Sequence, residues 1–239
     1  EFGKRTIEKT ELPAAVTGNL NPAFAIRPYQ LRAFQFYLNY WHEVFEGKPR
    51  QNHQLLFHMA TGSGKTLMMA GLILHLYMQG YRNFLFFVNS TNIIDKTRDD
   101  FLNALSVKYL FAPQLSIGDK RFAVREADNF QSGNLDDINI VFSTIQGLHS
   151  CLNTPRENSL TYDDFENQKI VLISDEAHHI NADTKKGDKP SNEELFEVVS
   201  WESTVKRIFE ANPQNVLLEF TATVDFSDDN LAEKYRPKL

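Results

Sequence analysis

A single cysteine, Cys151, stands in the 239 residues, which excludes a disulfide within the chain and any zinc cage built on cysteine. Its expected role is packing, and the scarcity fits a reducing compartment such as the cytosol. No apolar run approaches the roughly 18 residues that a membrane-spanning helix needs, so no membrane contact is expected. The charged opening, Glu1 to Arg5, does not read as a secretory leader, and the expected location is cytoplasmic. A basic surplus is lacking as well. With 25 Lys+Arg against 31 Asp+Glu the net charge is −6, so there is no bulk electrostatic case for nucleic acid and any such contact has to be local. Internal repeats and low-complexity stretches are absent. What is abundant is apolar mass: 42% hydrophobic residues and 19 phenylalanines, enough to bury the core of one large α/β domain.

The stretch that organises the chain is Met59-Ala60-Thr61-Gly62-Ser63-Gly64-Lys65-Thr66, set between the apolar run Leu55-Leu56-Phe57 and a helical pattern from Leu67 to Tyr77. That order reads strand, tight loop, helix. Glycines at 62 and 64 let the loop turn its N–H groups around a phosphate, the helix adds its positive N-terminal end, Lys65 reaches the outer phosphates, and Thr66 offers a hydroxyl to Mg²⁺. Met59 stands where the strict G-x-x-x-x-G-K-[ST] pattern has glycine. Gly62-Ser63-Gly64 is not a nucleophile elbow, because Thr61 occupies the place of its first glycine.

Residues 1–26 show no clear period and read as an extended N-terminal arm. From Arg27-Pro28-Tyr29-Gln30 onward, Leu31, Phe34, Tyr37, Leu38, Trp41, Val44 and Phe45 recur at three and four, predicting an amphipathic helix that ends near Gly47. Phe84–Val88, Ile140–Phe142, Ile170–Ile173 and Val216–Phe220 are short apolar runs of the kind that form parallel strands covered on both faces. Asn89–Asn92 caps a short helix, and 192–209 forms a longer one. Leu115–Ile117 is a possible strand, whereas 119–133 and 152–168 read as polar surface excursions. Strands alternating with helices predict a mostly parallel sheet covered by helices on both faces, with ligands outside the carboxyl ends of the strands. Residues 27–224 would form that lobe, and 225–239 would begin a connection onward.

Asp175 and Glu176 are adjacent carboxylates at the tip of a buried strand. Hydrolysis of a nucleoside triphosphate needs Mg²⁺ to offset phosphate charge and a residue that deprotonates the attacking water; Asp175 fits the first task and Glu176 the second. His178-His179 does not make a zinc signature, since adjacent histidines are not one helical turn apart. Trp41 and Trp201 read as core, not as base-stacking platforms.

Gly-Ser-Gly-Lys-Thr at 62–66, Asp-Glu-Ala-His at 175–178 and Thr221-Ala222-Thr223, in that order, resemble motifs I, II and III of superfamily 2 helicases and translocases of the DEAH type. The resemblance implies a RecA-like P-loop lobe that binds ATP and Mg²⁺. It implies Arg27 and Gln30 as the adenine-reading element, and Arg27, Gln30, Thr61, Gly62, Ser63, Gly64, Lys65 and Thr66 as the nucleotide site. Lys65, Glu176 and His178 would be catalytic, with His178 linking the nucleotide to motif III, and Thr66 and Asp175 would hold Mg²⁺. Thr221, Ala222 and Thr223 would couple nucleotide state to movement. Phe87 to Lys96 resembles motif Ia, with Lys96 where glutamine is common, and Ser143-Thr144-Ile145-Gln146 resembles motif Ib. DNA contacts at Ser90, Thr144 and Gln146 follow from that likeness, although helix capping explains the same residues.

Arg-Pro-Tyr-Gln, Met-Ala-Thr-Gly-Ser-Gly-Lys-Thr, Ser-Thr-Ile-Gln and the double histidine look most like the motor of the type III restriction enzyme large subunit, with type I restriction motors close behind. Duplex DNA and a DNA-modifying methyltransferase subunit are the implied partners. A nucleotide-dependent DNA-binding switch that does not translocate is the alternative of another class. Leu239 follows soon after motif III, so a second RecA-like lobe and its arginine finger are expected outside the chain, and Glu46-Gly47-Lys48 does not make a nuclease site.

Overall fold

The computed structural model describes residues 9–45, 52–131, 133–154, 157–175 and 192–223. Six strands form one parallel sheet: β1 (His53–His58), β2 (Asn83–Val88), β5 (Val124–Glu126), β6 (Ile138–Thr144), β7 (Ile170–Asp175) and β8 (Val216–Thr221), in the spatial order β1-β8-β7-β2-β6-β5. A separate antiparallel hairpin pairs β3 (Leu115–Ile117) with β4 (Lys120–Phe122). The helices are α1 (Ala14–Thr17), α2 (Pro28–Phe45), α3 (Lys65–Met78), α4 (Thr91–Leu102), α5 (Ile145–Asn153), α6 (Tyr162–Asn167) and α7 (Asn192–Glu210). This is the α/β architecture expected from the alternating apolar runs.

Side chains alternate across each strand, so the sheet feeds two cores. Phe84, Phe86, Ile173, Leu218 and Phe220 join α2 and α3 on one face. Leu85, Phe87, Leu172 and Leu217 join α5, α6 and α7 on the other. Every residue of α3 from Leu67 to Tyr77 is buried, as a helix that is apolar all round must be. Where α2 crosses it, Gly71 leaves room for an aromatic ring: a Cβ there would lie 2.3 Å from Phe34 Cζ.

Three elements depart from the sequence expectation. The arm is not extended over its described part: it folds into α1, buries Val16 and Leu20, and is stitched to the loop before β3. Asn19 does most of the stitching, donating to Ser116 O at 2.8 Å and accepting from Ser116 N at 2.8 Å, while its own carbonyl accepts from Ala112 N at 2.9 Å. Four helical residues are too few to show a period. Within 119–133, β4 and β5 are three-residue strands with a polar face, which no alternation rule detects. β5 is held at the sheet edge by buried Asp137, which accepts from Ala123 N at 2.8 Å and from Arg125 Nε at 2.5 Å. Within 152–168, α6 begins at a capping box between Thr161 and Asp164 and buries Phe165. The segment 225–239 lies outside the described residues.

α2 and α3 also meet through a buried imidazole. His75 Nδ1 shares a 2.9 Å hydrogen bond with Tyr37 Oη, and the ring stands edge-on to Trp41 at 5.7 Å. Burial, with a smaller contribution from nearby His42, pushes the His75 pKa down to about 4 from an ordinary 6.5. The folded state therefore resists a proton that the unfolded chain accepts. That stabilisation is complete above pH 6.5 and is lost as pH falls through the folded value. The loss amounts to about 3 kcal/mol. Urea unfolding between pH 7 and pH 4.5 checks this: the parent loses about 2 kcal/mol more stability than His75→Leu, the rest of the loss lying at lower pH, and parallel pH profiles would show that His75 does not titrate this way.

Candidate active site

The carboxyl ends of β1, β8 and β7 lie side by side and carry the three motifs. β1 leads into the glycine loop. One further backbone bond, Met59 N to Thr221 O at 2.9 Å, extends its pairing with β8 before the chains part. The loop then tightens through Ser63 N to Ala60 O at 3.1 Å. Gly62 and Gly64 both sit in the left-handed region, at φ 76° and 82°, which residues with a Cβ avoid. Gly64 is the N-cap of α3 and no side chain caps the helix, so its first-turn N–H groups face outward as donors for an anion. The Ser63 hydroxyl is buried without a partner, a further polar group at the loop tip.

Arg27, Tyr29 and Gln30 brace this loop from α2. Gln30 Nε2 donates to Ser63 O at 2.9 Å and to Gly64 O at 3.3 Å, and its Oε1 accepts from Arg27 N at 2.9 Å. Tyr29 Oη donates to the same Ser63 carbonyl at 2.8 Å and itself accepts from Arg27 Nη1 at 2.9 Å. A Cβ on Gly64 would lie 2.5 Å from Gln30 Nε2, so the second glycine admits the brace as well as the turn. Gln30 is only 2% exposed. Its amide is turned onto the loop's own carbonyls. Tyr29 was not singled out by the sequence, although a hydroxyl-bearing aromatic beside Arg27 and Gln30 is the signal that marks it.

Asp175 is the last residue of β7 and stands opposite Phe220 of β8. Thr221 follows, buried, and closes a turn in which its Oγ1 donates to Thr223 O at 3.0 Å and accepts from Thr223 N at 3.2 Å. The order along the edge is phosphate loop, Thr221–Thr223 turn, Asp175. The fold therefore sets the entry to the glycine loop, the Thr221–Thr223 turn and Asp175 at the ends of three neighbouring strands. Glu176 and His178 lie outside the described residues.

Farther along the edge, Val88 of β2 stands opposite Thr144 of β6, so α4 and α5 begin side by side. Ser90 is the N-cap of α4 but its hydroxyl makes no capping bond. Thr144 caps α5, accepting from Gly147 N at 2.9 Å. Gln146 is exposed on the first turn. The Thr144 hydroxyl is thus engaged as a cap, whereas that of Ser90 is not.

Hard oxygen donors at Thr66 and Asp175, beside open helix N–H groups and a lysine, fit Mg²⁺ and a polyphosphate. The model of the family described as type III restriction enzyme, res subunit, matches residues 23–226. Over 208 residues the chain is 41% identical to the probable type III restriction-modification enzyme HindVIP Res subunit of Haemophilus influenzae. That match covers 80% of this chain and 40% of that protein, so the chain spans less than half of the relative's length. Among solved structures it is similar to the UvsW helicase from bacteriophage T4, with 16% identity and a TM-score of 0.45, over 97% of this chain and 62% of that one. It is also similar to the SWI2/SNF2 ATPase core of Sulfolobus solfataricus, with 16% identity and a TM-score of 0.40, over 84% of this chain and 32% of that one.

Gln30→Ala removes two bonds that hold the loop tip. The expected result is an affinity for ATP and for tripolyphosphate that falls alike, by about tenfold. Calorimetric titration of both ligands checks it, and a loss confined to ATP would return Gln30 to base reading.

Proposed function

Because the chain belongs to the family of type III restriction enzyme res subunits, we propose that it is the Mg·ATP-binding lobe of a motor that moves on duplex DNA, works beside a DNA-modifying methyltransferase subunit and resides in the cytosol. The observation that carries this reading is the uncapped start of α3 at Gly64-Lys65-Thr66, held at the same sheet edge as Asp175.

In this reading the loop N–H groups and the Lys65 ammonium bind the β- and γ-phosphates, while Thr66 and Asp175 hold Mg²⁺, which offsets phosphate charge when bound. Glu176 accepts the proton of the attacking water, and His178 links this chemistry to Thr221–Thr223. An arginine from a second lobe beyond this chain completes the site, since such a residue is worth roughly 10³ to 10⁵ in rate. DNA backbone contacts fall to Ser90, Thr144 and Gln146, a placement supported by the paired helix starts at β2 and β6. With a net charge of −6, the grip of one lobe on DNA is expected to be weak.

Titration with a fluorescent nucleotide tests the site. Lys65→Ala should lower Mg·ATP affinity by about 2 kcal/mol or more. Unchanged affinity in the folded variant would remove the phosphate-loop assignment. Turnover tests the motor: the chain alone hydrolyses ATP very slowly, whereas a form extended through the second lobe turns over on duplex DNA. In that longer form Glu176→Gln keeps nucleotide binding and abolishes hydrolysis. Salt-dependent DNA binding with no hydrolysis in the longer form would favour a nucleotide-dependent switch instead.

A further inference from the structure

β1 and β8 fork at their carboxyl ends. Among the described residues the last backbone bond between them is Met59 N to Thr221 O; beyond it one chain enters the glycine loop and the other the Thr221–Thr223 turn. A side chain spans the fork. His58, the last residue of β1, places Nε2 at 3.2 Å from the carbonyl oxygen of Ala222. A carbonyl oxygen only accepts, so His58 carries a proton on Nε2 and donates. The carbonyl it meets is held in place, because Thr221 Oγ1 closes the turn onto both the N–H and the carbonyl of Thr223. His58 also directly precedes Met59, the first residue of the loop, and stands opposite Thr221 in the sheet. One end of the bond is thus anchored at the loop entry and the other inside the turn.

We infer that His58 is a positioning residue that makes the Thr221–Thr223 turn follow the state of the phosphate loop. The inference rests on the proposed nucleotide site. Coupling between two sites needs a contact that spans them, and this bond reaches from the residue leading into the loop to the turn. His58 is exposed, and its bond runs across the fork to the turn. Replacing it with leucine removes this side-chain link and keeps the backbone bond from Met59 N to Thr221 O.

Amide hydrogen exchange on the 239-residue chain, with and without a nonhydrolysable Mg·ATP analogue, reads this coupling directly. In the parent, bound nucleotide slows exchange across Thr221–Thr223 by about fivefold, the scale of one neutral hydrogen bond. His58→Leu binds the analogue within about twofold of the parent and loses the slowing. His58→Gln, whose amide N–H reaches the same carbonyl, restores it. Equal slowing in parent and His58→Leu overturns the inference while leaving the nucleotide site standing. Loss of binding in His58→Leu, or failure of His58→Gln to restore the slowing, also overturns it, since the tie itself would not be what matters. A parent chain that binds no nucleotide removes the proposed site and this inference together.

Discussion

The open end of α3 exists because the rest of the helix is locked away. A helix start with no side-chain cap leaves its first N–H groups to solvent or ligand, and an isolated helix would fray there. Here the eleven residues from Leu67 to Tyr77 are buried, between the sheet and α2. The burial free energy of those side chains far exceeds the cost of an unsatisfied first turn. The close crossing at Gly71 and Phe34, and the Tyr37–His75 bond, fix where that turn points. The same helix α2 then supplies Arg27, Tyr29 and Gln30 to the loop ahead of it. One packing interface therefore sets both the aim of the donors and the shape of the loop.

The polar edge follows from how β8 is placed. It enters between β1 and β7, so the Thr221–Thr223 turn separates the phosphate loop from Asp175 and touches the strands that carry both. In the proposed motor, that insertion gives the Thr221–Thr223 turn the intermediate position. Contacts at the next pair of strands, β2 and β6, begin two helices whose N-termini face the same side. The proposed nucleotide site and the proposed DNA contacts thus share one edge of one sheet.

Much of this was legible in the sequence, and the reasons are local. The β2 run Phe84-Leu85-Phe86-Phe87-Val88 can only be a strand buried on both faces, and Gly62 and Gly64 announce a loop with positive φ. Features set by distant partners were not legible. Asn19 looks like a turn residue until Ser116 arrives to accept its amide, and β5 is a strand because Asp137 holds it. Gln30 was found, but its partners were not: proximity to the Ser63 carbonyl is a property of the α2–α3 crossing, which no spacing reports. His58 carried no motif, and only the pairing of β1 with β8 gives it a role.

The placement of β8 also governs the order in which the chain is able to fold. β1 is made early and β7 later, yet neither finds its shared neighbour until residues 216–221 have left the ribosome. Until then both apolar strands present an unpaired edge, a template for joining another chain. The pairing of His53 with Val216 is of the long-range kind that closes slowly. Until residues 216–221 pair, β1 has no neighbour in the sheet and β7 keeps one open edge, so this side of the sheet closes only with the last described strand.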